Sequence, residues 1–497
     1  MIYNSTRNNE QKAEAAYAIA HGISKEGGLF VPQTIPALTN EDFKALKGMN
    51  YVDRAKYILG RFLTDFTEEE LEYCAKGAYL GTFDNDQPAP LKALDDQINV
   101  LELWHGPTCA FKDLALQILP YLLTTSSKKV GDGKKTVILV ATSGDTGKAA
   151  LEGFKDVPGT EIMVFYPNDG VSAMQQLQMN TQKGENVYVC AINGNFDDAQ
   201  TGVKTIFTND DIKNLLAENN MDFSSANSIN WGRLAPQIIY YVSAYLDLMD
   251  KGEDYLKDGF NVVVPTGNFG NILAAYYARQ MGAPIKKLIC ASNNNNVLSD
   301  FLKTGTYDRN RDFFTTISPS MDILISSNLE RMLYELTGHN DKQVAAWQDA
   351  LKNDGKYTVT EDVLAKLKDL FFGGYCSEEN TSKTIKNVYE KYGYLIDTHT
   401  AVAVSVYEDY KAETGDNRPT VIASTASPYK FANSVLEALG ETVPEDEFDI
   451  AEKLSAITNT EIPAPIAALR TAEIRFNNVC EKDDMNKVVL NHLGITF

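Results

Sequence analysis

Apolar residues run without polar alternation in a series of short stretches: "INVLEL" (98–103), "KKTVILVAT" (134–142), "EIMVFYP" (161–167), "NVYVCAIN" (186–193), "FNVVVP" (260–265), "KKLICASN" (286–293) and "PTVIAS" (419–424). Unbroken runs of this length, rich in β-branched residues, predict strands buried on both faces. Several are followed by a turn rich in Gly, Ser or Thr and then by a helical period. "SGDTG" (143–147) precedes "KAALEGFKD", "TGNFGN" (266–271) precedes "ILAAYYARQMG", and "STASPYKF" (424–431) precedes "ANSVLEALG". "FDDAQTGVKTIF" (196–207) also reads as a helix. This alternation predicts an α/β protein with parallel sheets. Residues 1–95 differ. They read as helices and loops, with acidic amphipathic pieces such as "NEDFKALKGM" and "TEEELEYCAKGAY" around the Gly-rich turn "KEGGLFVPQTIP".

The chain has 497 residues, which at roughly 150 residues per domain suggests about three domains. "FDNDQPAPLKALDD" (83–96) carries the Pro and Asp of a boundary, and "ETVPEDEFD" (441–449) reads as a solvated linker. The expected division is an N-terminal domain over 1–95, a small α/β domain over 131–254, and a large α/β domain from 96–130 and 255–497. The large domain is expected to hold the site.

A content of 44% hydrophobic and 23% charged residues is that of an ordinary globular protein. The formal net charge of -21 argues against nucleic acid or an anionic membrane surface as partner. It leaves room for a small anion, because a phosphate site can be built locally from main-chain N–H groups. The six cysteines form no CxxC pair and the five histidines show no ligand spacing, so no metal site is expected. Free thiols point to a reducing compartment. The opening "MIYNSTRNNEQKAEAAYAIAHG" has no apolar signal core and no stretch approaches a membrane span, so a cytoplasmic protein is expected.

The turns at the strand ends carry the candidate chemistry, because ligands of open α/β sheets bind at the carboxyl edge. In "PTGNFGN", Gly267 and Gly270 allow a sharp turn and close approach of the main chain, with a helix starting near Asn271. The turn reads equally as an anion cradle or as a plain strand-to-helix connection. It is not GxGxxG, so no dinucleotide fingerprint is present. "ATSGDTGKAA" invites a P-loop reading that fails, because GxxxxGK[ST] requires Gly at 142 and Ser or Thr at 149, where Thr142 and Ala149 stand. Its hydroxyls and N–H groups still suit a carboxylate. Ser424, Thr425 and Ser427 offer hydrogen bonds or helix caps.

Lys112, between two apolar segments, has two readings. Spacing alone favours a surface lysine whose stem lies along apolar neighbours. The rival is a desolvated amine that forms a Schiff base with an aldehyde cofactor. His105 orients its loop or meets ligand, and Cys109 reads as a small packed thiol. Arg233, in "SSANSINWGRLAPQ" (224–237), either binds an anion or belongs to a polar helix start.

Taken in order, "HGPTCAFKD", "ATSGDTG", "SANSINWGRL", "PTGNFGN" and "STASPYKF", with "YNSTR" and "GISKEGGLFVP" at the start, resemble the long form of the threonine synthases from about residue 3 to about residue 440. The resemblance implies a pyridoxal 5'-phosphate enzyme of fold type II, with two mostly parallel α/β domains and a mainly helical N-terminal domain. It implies that Lys112 carries the cofactor, that Gly267, Asn268, Phe269, Gly270 and Asn271 hold its phosphate, and that Thr425 meets the pyridine nitrogen. Ser143, Gly144, Asp145 and Thr146 are implied to bind the amino-acid end of the substrate. Wider fold-type-II relatives often carry Asn at the place of Asp145. The implied reaction converts O-phospho-L-homoserine and water to L-threonine and phosphate, in a monomer or homodimer. Asn230, Arg233, Lys148 and Lys430 are candidates for the substrate phosphate. Three rivals stay open: a threonine or serine dehydratase of the same fold type, a catalytically idle homologue that binds a phosphorylated ligand and, more distantly given the failed P-loop pattern, an ATP-dependent kinase.

Overall fold

The computed structural model describes residues 1–131, 133–142, 144–168, 171 and 173–495. Two sheets dominate. The larger has the strand order Phe371–Tyr375, Ile285–Ser292, Phe260–Pro265, Thr420–Ser424, Ile98–Glu102, Leu91–Ala93. Its strands are parallel except the last, which runs antiparallel to Ile98–Glu102. The smaller has the order Asn478–Glu481, Val187–Asn193, Thr160–Pro167, Lys135–Ala141, Met221–Ser224, and is parallel throughout.

The apolar runs form these strands because each has an apolar layer on both faces. Val262 and Val264 face the core shared with the N-terminal region, while Val263 faces the cluster under helix Thr398–Thr414. Ile138 and Val140 point to the shared core, and Val137 and Leu139 to a third cluster under helices Phe196–Thr208 and Met485–His492. Helix starts are capped as their sequences dictate. Thr39 with Asp42, Thr67 with Glu70 and Asn195 with Asp198 make reciprocal capping boxes.

The expected division differs from sheet membership in three places. Leu91–Ala93, inside the expected N-terminal domain, is an edge strand of the large sheet. Helix Pro236–Met249, inside the expected small domain, packs on helix Gly270–Gln280 of the large one and on Tyr51–Phe62. Strand Asn478–Glu481, expected in the large domain, pairs with Val187–Asn193, and the chain end packs on the small sheet. Both edge strands are short and largely exposed, so they leave no apolar run to read. The N-terminal region is mainly helical as expected. It also contains a three-stranded antiparallel sheet of Tyr3–Ser5, Asn8–Ala13 and Phe30–Pro32, two of whose strands span only three residues.

Gly153, on helix Asp145–Phe154, sets how closely the small unit approaches the segment after Lys112. A Cβ there would lie 2.0 Å from the carbonyl oxygen and 2.8 Å from the carbonyl carbon of Leu116. Both are main-chain atoms that cannot rotate away. Gly153→Ala is therefore expected to destabilise the fold by about 2–3 kcal/mol, read as a lower urea midpoint with an unchanged slope.

Candidate active site

The turn after Ile98–Glu102 is zipped onto the turn after Thr420–Ser424. Leu103 N–H donates to Ser424 O (2.9 Å), Phe111 N–H to Thr425 O (2.8 Å) and Ser427 N–H to Cys109 O (3.0 Å). Ala110 and Ala426 form a bridge between them. Cys109 takes a left-handed φ of 56° to make the corner. Asp113 closes the loop from the other side, accepting from the Thr108 N–H (2.8 Å) and hydroxyl (2.7 Å). Lys112 emerges from this turn buried, at 8% exposure, which overturns the reading as a surface lysine. Its Nζ donates to Ser320 Oγ (3.2 Å) and lies 4.0 Å from Asp145 Oδ2. Burial draws its pKa down to about 8, against Asp145 and with the help of Lys430 and Arg233.

The turn after Phe260–Pro265 presents unpaired donors. The Gly267 carbonyl accepts from Ser326 Oγ (2.7 Å) and the Asn268 carbonyl from Asn328 N–H (3.0 Å). The N–H groups from Gly267 to Ile272 have no acceptor among the described residues. Phe269 holds a left-handed φ of 62° and packs its ring 5.6 Å from that of Phe371. A Cβ on Gly267 would lie 2.8 Å from Ser320 O, so the turn Pro319–Met321 can sit close over the loop. Asn271 accepts from the Tyr241 hydroxyl, and its own buried Nδ2 has no partner among the described residues. The Thr425 side chain is 5% exposed, and no described residue pairs with its hydroxyl.

Across the cleft stands the turn after Lys135–Ala141. Thr142 Oγ1 accepts from the N–H groups of Gly144 (3.0 Å) and Gly147 (3.1 Å). Ser143 lies outside the described residues, and Thr146 is half-buried. Asp145 is buried, with Lys430 Nζ at 2.8 Å from Oδ1 and the Gln175 amide at 3.3 Å. Lys430 and Lys112 hold its carboxyl well below the usual range, although burial acts the other way. Arg233 is buried, donates to Ala226 O (2.8 Å), and has no carboxylate partner among the described residues. Burial pulls its pKa to about 10.

Three of the candidates for the substrate phosphate have protein partners of their own in this geometry. Asn230 spends its amide on Ile19 O (2.9 Å) and its carbonyl on Gly232 N–H (2.8 Å), fastening a helix start to the N-terminal helix. Lys148 is tied to Glu152 (3.2 Å) and Gln182. Lys430 is taken by Asp145 and by the Thr108 carbonyl (2.8 Å). Each of the three thus already has protein partners, whereas Arg233 meets no carboxylate among the described residues. His105 is a loop clamp between Asp84 (2.7 Å) and Glu102 (2.9 Å), and the Cys109 thiol, pushed up to about 12 by burial, stays protonated at neutral pH.

Comparison with known proteins agrees with this arrangement. Residues 2–79 match the family profile "Threonine synthase N terminus", residues 87–426 "Pyridoxal-phosphate dependent enzyme", and residues 400–489 "Threonine synthase, C-terminal". The threonine synthase of Pseudomonas aeruginosa is 38% identical over 88% of this chain and 90% of its own length. The chain belongs to the threonine synthase family. Among solved structures of that family, pyridoxal-phosphate-bound threonine synthase from Brucella melitensis is 36% identical, with a TM-score of 0.88 over 99% of both chains. The fold is thus that of the fold-type-II pyridoxal-phosphate enzymes. Threonine synthase-like 1 of Homo sapiens is 40% identical over 86% of this chain. The chain spans 59% of the length of that relative.

The residues present fit the cofactor of the threonine synthase family. Unpaired N–H groups and an unpaired buried amide suit a phosphate, an unpaired hydroxyl suits a ring nitrogen, and a buried amine of lowered pKa suits an aldehyde. Sequence reasoning missed Ser320 and the pair behind it. His399 Nδ1 lies 2.8 Å from Asp397 Oδ2, and its Nε2 accepts from Ser320 N–H (3.2 Å), which fixes the turn that meets Lys112. The "DTH" spacing in "IDTHT" was the available signal. "YNSTR" proves to be a clasp. Thr6 and Arg7 bind Glu330, the latter at 2.8 and 2.7 Å, and Asn4 binds Tyr334 (3.2 Å).

Proposed function

We propose that this protein is a threonine synthase that converts O-phospho-L-homoserine and water to L-threonine and phosphate. The observation that carries the reading is the pairing of a buried, low-pKa lysine and a loop of unpaired main-chain N–H groups with a second cation, Arg233, that has no carboxylate partner among the described residues. A reaction in which cofactor and substrate each bring a phosphate accounts for both anion sites. Bound pyridoxal phosphate supplies the electron sink that stabilises negative charge developing on the substrate.

The chain does the rest. The Gly267–Asn271 N–H groups hold the cofactor phosphate and Lys112 holds its aldehyde carbon. Thr425 meets the ring nitrogen with a hydroxyl, which donates or accepts and so does not force that nitrogen to be protonated. Gly144, Asp145 and Thr146 bind the amino-acid end of the substrate, and Arg233 takes its phosphate; Ser143, implied for the same end, lies outside the described residues. With the cofactor bound, the Lys112 amine would take the Cα proton and then a Cβ proton as phosphate leaves Cγ, and would return protons to Cγ and, after water adds its hydroxyl at Cβ, to Cα. Closure of the small sheet over the large one keeps other water out. The proposed setting is the cytoplasm, whose reducing conditions suit the free cysteines, with the protein acting on a small-molecule substrate as a monomer or homodimer.

Incubation with O-phospho-L-homoserine tests the reading: phosphate and threonine are expected in equal amounts. Release of an oxo acid and ammonia from threonine or serine, with no phosphate from O-phosphohomoserine, would replace it with a dehydratase.

A further inference from the structure

Two ammonium groups share one buried carboxylate at the centre of the site. Asp145 heads helix Asp145–Phe154 on the small-sheet side. Lys430 lies on the single turn Pro428–Phe431 that follows strand Thr420–Ser424 of the large sheet. Their side chains are 3% and 2% exposed. Lys430 reaches Asp145 at 2.8 Å, whereas Lys112 stands at 4.0 Å and gives its hydrogen bond to the neutral Ser320 hydroxyl. A second acceptor, the Thr108 carbonyl, fixes the Lys430 ammonium in place.

This division of partners has a consequence for Lys112. A lone ionised carboxylate 4 Å from a buried lysine would pair with it and hold it protonated, which is the wrong state for a base or a nucleophile. Lys430 weakens this pull twice over, although Asp145 still acts on Lys112 more strongly than Lys430 does. It takes the Asp145 charge as its own counter-ion, and its positive charge repels a proton on Lys112. The other charged groups facing Lys112 are Arg233, which acts in the same direction, and Asp113, which is occupied by Thr108. Asp145 also faces His399, whose two ring nitrogens are committed to Asp397 and the Ser320 N–H, and the Gln175 amide.

We propose that Lys430 is a positioning residue that tunes the proton affinity of Lys112, by taking the closer contact to Asp145 and so weakening that carboxylate's hold on the cofactor-bearing lysine. A neutral pair at these two positions would leave Lys112 much as it is, and either charge alone would not. The inference rests on the reading that Lys112 carries the cofactor.

The test is a pH titration of the visible spectrum of the holoenzyme, whose band reports the proton on the nitrogen that joins Lys112 to the cofactor. Borohydride reduction and peptide mass come first. An adduct on a lysine other than Lys112 overturns the cofactor assignment, and this proposal with it. With the adduct on Lys112, Lys430→Met is expected to raise the titration midpoint by about one pH unit or more, and Asp145→Asn to lower it by a similar amount. The double variant is expected to return to within roughly 0.3 unit of the parent, and Lys430→Arg, which keeps the cation, to stay near it. If Lys430→Met does not fold, Asp145→Asn and the uncharged double variant carry the same test. A midpoint unmoved by either single change, or a double variant displaced as far as a single one, overturns the proposal while leaving Lys112 as the cofactor lysine.

Discussion

Lys112→Ala is expected to lower turnover of O-phosphohomoserine by at least about 10^3-fold and to leave a folded protein with no borohydride-trapped adduct. The loss is large because one amine both holds the cofactor and moves the substrate protons. Folding survives because the charge arrangement tolerates the deletion. Asp145 keeps Lys430 at 2.8 Å, so no carboxylate is stranded, and the lost hydrogen bond is to a hydroxyl, Ser320. Lys112→Arg is expected to be equally inactive, since a guanidinium stays protonated and forms no Schiff base. Residual activity above about 1% in a cofactor-free Lys112→Ala preparation would remove Lys112 from its role, because loss of a general acid–base group alone costs about 10^2- to 10^4-fold.

The strands of both sheet centres were legible because burial on two faces requires an apolar residue at every position, and "EIMVFYP" or "FNVVVP" can satisfy little else. Strand Phe371–Tyr375, which contains two glycines, and the edge strand Asn478–Glu481 were not, because neither presents a continuous apolar run. The site was legible as a set of turns at strand ends. Its assembly was not, since Lys112 and Thr425 are brought together by the Ala110–Ala426 bridge and the main-chain hydrogen bonds around it, between turns far apart in sequence, and Ser320 arrives on a turn with no motif of its own. Polar residues near helix starts were the hardest to read. Asn230 reads the same in sequence whether its amide caps a helix or binds an anion, and Lys148 and Lys430 read the same whether paired or free. Only the structure shows which partners each already has.

Arg233 passes that test, and its replacement should produce the second large effect. The side chain is buried, and among the described residues its guanidinium has one acceptor, the Ala226 carbonyl, and no carboxylate to neutralise it. Arg331, equally buried, differs: it is shared among Phe30 O, Ile229 O and Asn328 Oδ1 and lies over the Trp231 ring, as a structural cation does. With a pKa of about 10, Arg233 is charged at pH 7, so burial leaves a positive charge that awaits an anion. Arg233→Gln is expected to reduce kcat/KM for O-phosphohomoserine by 10^2- to 10^3-fold, about 3–4 kcal/mol, chiefly through KM, while the cofactor spectrum is unchanged. Arg233→Lys should recover only part of this, because an ammonium cannot reproduce the two-pronged contact of a guanidinium with phosphate. The sign of the stability change separates the two roles such a residue can have. Removing a structural arginine strands its acceptors and lowers the melting temperature. Removing an uncompensated charge relieves a desolvation cost, so Arg233→Gln should melt at or above the parent temperature in the absence of substrate, and added phosphate should stabilise the parent but not the variant. A lower melting temperature with an unchanged KM would make Arg233 a structural residue and return the substrate phosphate to some other donor.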